Sequence, residues 1–229
     1  MKKAAALYTG GKDSHYAVIE AIGNGIEVVV LVVATPRRSD SWMFHTVNIK
    51  WTKLHAEALG IPIEYIDVSG VKEDEVMEFY NGFKNIKEKY GIDTIVTGAV
   101  ASLYQKKRVD IIAEKLGLNH YAPLWGTDQE QVLRREIEKE EFIITAVQAY
   151  GLTSKWLGKS ITKENIEEFL SLCRKYKLSP VGEGGEIETF VIDSVIMKKR
   201  VMIKEYEKKW FPAGYGYLVI RDAVLIDKN

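Results

Sequence analysis

The chain reads as an α/β protein: a parallel sheet with helices on both faces, followed by a smaller α+β C-terminal domain. Three observations predict this. Short Val/Ile-rich segments of near-continuous apolar character alternate with segments of helical spacing through the first half. A glycine stands at or just past the end of each helical segment, where a left-handed cap is needed. Beyond residue 126 the alternation stops and the pattern turns β-rich.

Taken in order, the expected strands of the first half are 4–8, 27–34, 63–68 and 94–97. Helices are expected at 14–24, 49–59, 73–90 and 103–116, closed by Gly25, Gly60, Gly91 and Gly117. Pro123, Leu124, Trp125 and Gly126 form the most plausible boundary, giving domains 1–124 and 125–229. After it come a charged amphipathic helix at 128–140 and a strand at 142–150. A helix at 162–176 is expected to start from Thr162 as its cap. Three β-segments, 187–193, 195–205 and 215–226, complete the chain.

The most informative run is Leu7-Tyr8-Thr9-Gly10-Gly11-Lys12-Asp13-Ser14, which joins the first strand to the first helix. Adjacent glycines let the backbone turn and come close to a ligand. The amides of such a turn and of the first helical turn favour an anion. Thr9 and Ser14 add hydroxyls, Lys12 adds a charge, and Asp13 is a candidate magnesium ligand. The expected result is a phosphate cradle, with Lys12, Asp13 and Ser14 as catalytic candidates. It is not the Walker pattern, since Asp13 follows the lysine and Ala6 stands where the first glycine would be. Ala34, Thr35, Thr97 and Gly98 end two other strands and are expected at the same crevice.

Other segments admit two readings. Residues 182–189 place Glu183, Glu186 and Glu188 among Gly184, Gly185 and Thr189, either as a solvated loop or as a cation or donor site. Ser102 is a helix cap, with Tyr104, Gln105 and Arg108 behind it on a wet basic helix or at the mouth of the crevice. His45 and Asn48 are structural loop residues or face the ligand, and no spacing fits a zinc site. The single cysteine, Cys173, lies among Phe169, Leu170 and Leu172 and reads as core.

Composition narrows the class. The 229 residues are 46% apolar and 28% charged, with 32 basic and 32 acidic side chains. Zero net charge weighs against a wholesale nucleic-acid binder. The longest apolar run, 28–34, is far below membrane-spanning length, and the N-terminal apolar run is too short for a signal peptide. A cytoplasmic protein is expected.

The loop resembles the SGGxDS loop of the N-type ATP pyrophosphatases, with Thr9 for the serine. The loop, Met43-Phe44-His45-Thr46-Val47-Asn48, the run from Gly98 to Val109, Ala122-Pro123-Leu124-Trp125 and residues 182–189 occur in that order. That series is similar to the diphthine–ammonia ligase (diphthamide synthetase) family. Departures are Thr9, Ala99 for a usual acid, Lys107 for a frequent arginine and Val195 for a frequent proline. The resemblance implies a Rossmann-like PP-loop/HUP-like fold, ATP and Mg²⁺ as cofactors, and Asp13 as the metal ligand. It implies amidation of diphthine on translation elongation factor 2 through an acyl-adenylate, with AMP and pyrophosphate released. On this reading the loop and the two strand ends hold nucleotide, while His45, Asn48, Ser102, Tyr104, Gln105, Arg108 and the 183–189 acids and glycines meet substrate. Glu183, Glu186 and Glu188, with Tyr104 or Trp125, are expected to receive the trimethylammonium of diphthine. With Cys173 in the core, free ammonium or another protein is the expected nitrogen donor. The rival readings are a tRNA-modifying or small-molecule amide-forming enzyme of the same superfamily, and a nucleotide-sensing module. Homo-oligomer formation stays open.

Overall fold

The computed structural model describes residues 2–36, 48–69 and 74–228. Five parallel strands, β1 (Lys3–Leu7), β2 (Glu27–Pro36), β3 (Ile63–Val68), β4 (Thr94–Val96) and β5 (Asn119–Tyr121), form one sheet in the order β3-β2-β1-β4-β5. Helices α1 (Lys12–Gly23), α2 (Thr52–Leu59), α3 (Asp74–Tyr90) and α4 (Leu103–Leu116) connect them. The strand order turns back at β1, whose neighbours are β2 and β4. In such sheets the gap beyond the strand ends at this turning point is the natural ligand crevice. It holds the glycine loop.

The alternating elements fall where periodicity places them. Gly60 and Gly117 cap α2 and α4 in the left-handed conformation, and Gly25 and Gly91 also have positive φ. Strand β5 is missing from the expected list. Its three residues, Asn-His-Tyr, carry no apolar signal, and an edge position leaves them half in water.

A second sheet follows α5 (Gln129–Lys139). It is antiparallel and contains β6 (Glu140–Val147), β7 (Ile187–Ser194), β8 (Lys199–Phe211) and β9 (Tyr215–Asp227), in the order β7-β6-β9-β8. Helix α6 (Ile166–Tyr176) lies between β6 and β7 in sequence. It starts later than expected. Thr162 does not cap it. The Thr162 amide instead donates to the Asn165 side chain, and Asn165 precedes the first helical residue. Residues 195–198 form a turn, so the strand expected from 195 begins at Lys199 and runs six residues further than expected.

One apolar cluster joins Ala4, Ala17 and Leu31 of the first sheet layer to Phe142, Phe190 and Ile220 of the second. A smaller one, including Val30, Phe83 and Ile95, fills the other face of the parallel sheet. The loop after β1 is therefore enclosed by a core that both sheets share.

Gly98 shows how tight that enclosure is. A Cβ there would strike the Asp13 carbonyl and come within 2.7 Å of the Ser14 nitrogen. The end of β4 thus packs backbone to backbone against the start of α1. Gly98→Ala is expected to cost about 1–3 kcal/mol by overpacking. Gly23→Ala, where nothing lies within 4 Å, should be neutral or stabilise by up to roughly 1 kcal/mol. Urea unfolding of the two variants checks both.

Candidate active site

Gly10 turns the chain at φ +82, a conformation that side chains rarely adopt. The two loop hydroxyls brace the turn. Ser14 Oγ donates to the Gly11 carbonyl (2.9 Å) and accepts from the Thr9 amide (3.2 Å). Thr9 Oγ1 accepts from the Gly11 amide (3.3 Å) and meets Ser14 Oγ at 3.1 Å. Strand β7 clamps the outside. The Lys12 amide donates to Thr189 Oγ1 (3.1 Å), and the Val191 amide donates to the Gly10 carbonyl (2.9 Å).

Beneath the loop lies a buried polar chain. The Tyr8 hydroxyl stands 2.7 Å from His15 Nδ1 and 2.9 Å from His55 Nδ1. His15 Nε2 meets Ser194 Oγ at 2.7 Å, and His55 Nε2 meets the Val191 carbonyl, also at 2.7 Å. A carbonyl can only accept, which fixes every proton. His55 carries its proton on Nε2 and accepts from Tyr8. Tyr8 then accepts from His15 Nδ1, and His15 Nε2 accepts from Ser194. Burial lowers both imidazoles, His55 to about 4 and His15 well below its ordinary value, so both are neutral. Tyr8 is 1% exposed and spends its hydroxyl here. Its side chain supports the loop from within.

Lys12 also departs from expectation. It is fully buried, and its ammonium donates to Asp13 Oδ1 (2.7 Å) and the Val181 carbonyl (2.9 Å), with Glu136 Oε2 at 3.4 Å. Burial opposes its charge, but Asp13 and then Glu136 outweigh burial and hold its pKa above the ordinary value. The ammonium points under the loop toward the second sheet, not out to an anion. Glu136 and Glu140, absent from the expected site, complete this cluster. Burial pushes both carboxyls well above the usual range, opposed by Lys12, and at Glu140 the Glu136 charge adds to the rise. The signal for Glu136 was present in the sequence, since it lies four residues after Val132 and three after Leu133, so an acid stands on the apolar stripe of α5.

The 182–189 run turns its acids inward onto backbone. Glu183 Oε1 accepts from the amides of Ala101 (3.0 Å) and Ser102 (2.5 Å), at the start of α4. Glu186 accepts from the Ser179 amide (3.1 Å) and the Gly184 amide (2.9 Å). Gly185 has φ +83 and donates its amide to the Gly182 carbonyl (2.9 Å). Glu188 is half-buried beside Thr189. A cage of three carboxylates open to a trimethylammonium is therefore not what Glu183 and Glu186 form. The aromatic candidates carry this chain's own cations: Arg108 lies 4.0 Å over the Tyr104 ring and Lys106 lies 5.6 Å over Trp125. Ser102 caps α4, accepting from the Gln105 amide at 3.4 Å, and the Gln105 residue is exposed.

The remaining residues divide. The Thr97 hydroxyl meets His120 Nε2 at 2.7 Å, while Gly98 abuts the loop. Ala34 is half-buried, and Thr35 donates its hydroxyl to Asp67 (2.7 Å) at the far strand pair. Asn48 pairs with β9, donating to the Leu218 carbonyl and accepting from the Ile220 amide, both 2.9 Å. It anchors the two sheets together and does not face the crevice. His45 lies outside the described residues. Cys173 is buried, and burial raises its thiol to about 12, far from a nucleophile.

The sheet order, the turning point at β1 and a braced glycine–hydroxyl loop define a PP-loop type nucleotide-binding α/β protein. Residues 1–120 match the family model of the diphthamide synthase N-terminal domain, and residues 128–226 match that of the diphthamide synthase C-terminal domain. The diphthine–ammonia ligase of Mus musculus is 35% identical over 225 residues, spanning 90% of this chain and 84% of that protein. The Homo sapiens protein of that name is 34% identical over 226 residues with the same coverage. That of Danio rerio is 33% identical over 228 residues, spanning 90% of this chain and 88% of its own. The chain belongs to the diphthamide synthase family.

The buried histidines make stability pH-dependent. An unfolded histidine titrates near 6.5, while His55 in the fold does so near 4. Below pH 6.5 the unfolded chain takes up a proton that the folded chain refuses. Stability is therefore full above that pH and declines as pH falls toward 4. Urea unfolding should show this decline in the wild type and a shallower one in His55→Gln. Tyr8→Phe strands the His55 and His15 nitrogens and is expected to cost about 1–3 kcal/mol.

Proposed function

We propose that this chain is an ATP-dependent diphthine–ammonia ligase. It converts the diphthine carboxylate of translation elongation factor 2 into an amide, releasing AMP and pyrophosphate. The observation that carries the reading is the clamp on the loop. Thr189, from the acidic glycine run, accepts from the Lys12 amide, and the Val191 amide donates to the Gly10 carbonyl. A phosphate-gripping turn and a substrate-side segment thus share one wall.

A carboxylate does not accept ammonia at neutral pH because its leaving group is too poor. Attack of the carboxylate oxygen on the α-phosphorus of ATP, with loss of pyrophosphate, makes AMP the leaving group. Ammonia then adds to the acyl carbon and AMP departs. The loop amides and the N-terminus of α1 hold the phosphates and meet charge growing on pyrophosphate. Lys12 serves as the buried anchor that sets the loop's position, a role Glu136 and the Val181 carbonyl share. Asp13 retains 29% side-chain exposure beside the loop and is the residue that would hold Mg²⁺. Among the described residues no group of three or more His, Cys, Asp or Glu is placed to hold a metal. A Mg²⁺ held through one carboxylate, phosphates and water fits that donor set. Its contribution would be to neutralise phosphate charge.

Glu183 positions the start of α4, and with it Tyr104, Gln105 and Arg108, toward the protein substrate. Among the described residues no helix is long and apolar enough to cross a membrane. With Cys173 sealed in the core, this chain has no thiol placed for a glutaminase of its own, and the nitrogen comes from free ammonium or from another protein.

The deciding assay combines purified protein, diphthine-bearing elongation factor, ATP and ammonium. AMP release together with the mass change of a carboxyl-to-amide conversion is expected. AMP without that change would mean a different acid substrate, and ADP in its place would remove the reading altogether. In the same assay Asp13→Asn should lower turnover on the order of a hundredfold or more. Cys173→Ala should keep ammonium-dependent turnover within a few-fold of wild type.

A further inference from the structure

Glu136, near the end of α5, is fully buried, and Glu140, the first residue of β6, is 6% exposed. All four of their carboxyl oxygens are sealed from water and none makes a well-formed hydrogen bond among the described residues, although Glu136 lies close enough to Asp13 and Lys12 to interact with both. Folded proteins leave very few buried polar atoms in this state, and a bound ion is one of the few physical reasons for it. The neighbouring cation does not supply the missing bonds. Lys12 spends its ammonium on Asp13 and the Val181 carbonyl and reaches Glu136 only at 3.4 Å. One ammonium therefore faces three carboxyl groups, and burial favours the neutral form of two of them, Glu136 and Glu140.

Glu140 also borders a way in. A surface cleft of about 340 Å³ lies against the start of β6. Its charged lining is Glu138, Glu140, Glu141 and Asp193 against Lys139 and Lys228, so acids outnumber bases. Two of those acids are already matched: Glu141 by Arg200 at 2.6 and 2.8 Å, and Asp193 by Lys228 at 2.5 Å. Glu140 belongs both to the cleft wall and to the buried cluster. From it the acids lead through Glu136 to Lys12 and Asp13, at the foot of the loop where the activated carboxylate would form.

We propose that Glu136 and Glu140 bind the ammonium ion that the reaction consumes, admitted through this cleft. The proposal rests on the ligase reading above for the use of that ion. Ammonium suits the site better than a divalent metal. It brings four N–H donors and a single positive charge, which favour the ionised, accepting form of the two carboxyls that burial otherwise opposes. Mg²⁺ demands a near-octahedral set and keeps several waters, whereas these oxygens are dry. Bound here, ammonium would wait on the protein side of the loop, apart from the nucleotide.

Crystals of the full chain soaked with thallium(I), a heavy stand-in for ammonium, are expected to show an anomalous peak between the two carboxylates. Excess ammonium should displace it. Glu140→Gln should abolish the peak and raise KM for ammonium about tenfold relative to any change in KM for ATP. Glu140→Asp, which keeps the charge, should retain the peak, and melting curves establish that both variants fold. No peak in the wild type overturns the proposal. So does a peak that potassium displaces and ammonium does not, or equal shifts in the two KM values. Failure of the ligase reading looks different: the wild type would then make no AMP with the modified factor, whatever the thallium result.

Discussion

Taking the Lys12 ammonium out of water costs several kcal/mol, and the groups that offset this come from three parts of the chain. Asp13 is its neighbour in the loop, the Val181 carbonyl lies on the approach to the acidic glycine run, and Glu136 comes from α5. The last two are useful only if the second sheet is docked on the first. The lysine therefore ties the shape of the phosphate loop to the position of the C-terminal region. Separating the two would leave a buried charge uncompensated.

The same coupling recurs around the loop in uncharged form. Thr189 and Val191 of β7 hold the outside of the turn, and the Tyr8–His15–His55 chain ends on Ser194 and Val191 of that strand. Asn48 and Trp51 complete the join from the other side, bonding the backbone of β9 at Leu218 and Ile220. Buried networks of this kind are costly when half satisfied, which favours a single docked arrangement. A loop set in this way is pre-organised, and pre-organised donors are what a charge-building transition state needs.

An amide-forming ligase has two chemical problems, making a leaving group and presenting a nucleophile. On the proposed reading the crevice beyond β1 and β4 addresses the first, with its amides, helix terminus and partly exposed Asp13. The dry acids beneath the loop are suited to the second. Keeping the two apart protects the activated carboxylate from water, because the nitrogen source need not share the solvent-facing route.

Much of this was legible from the chain alone. Val/Ile-rich runs, the four glycines after the first helices and Ser102 as a cap are local signals, each set by backbone sterics or a nearest-neighbour hydrogen bond. So are the loop's turn and the place where it meets the strand ends. What the sequence could not settle is where long or polar side chains point, because that depends on partners far away in the chain. Lys12 looked like a phosphate ligand until Val181 and Glu136 came within reach of it. Glu183 and Glu186 looked like a cation cage until the amides of Ala101, Ser102, Ser179 and Gly184 claimed them. The sequence by itself determined the elements and the chemistry available. Tertiary structure decided which charges face water and which are buried against each other, since only packing sets desolvation and the distance between groups remote in sequence.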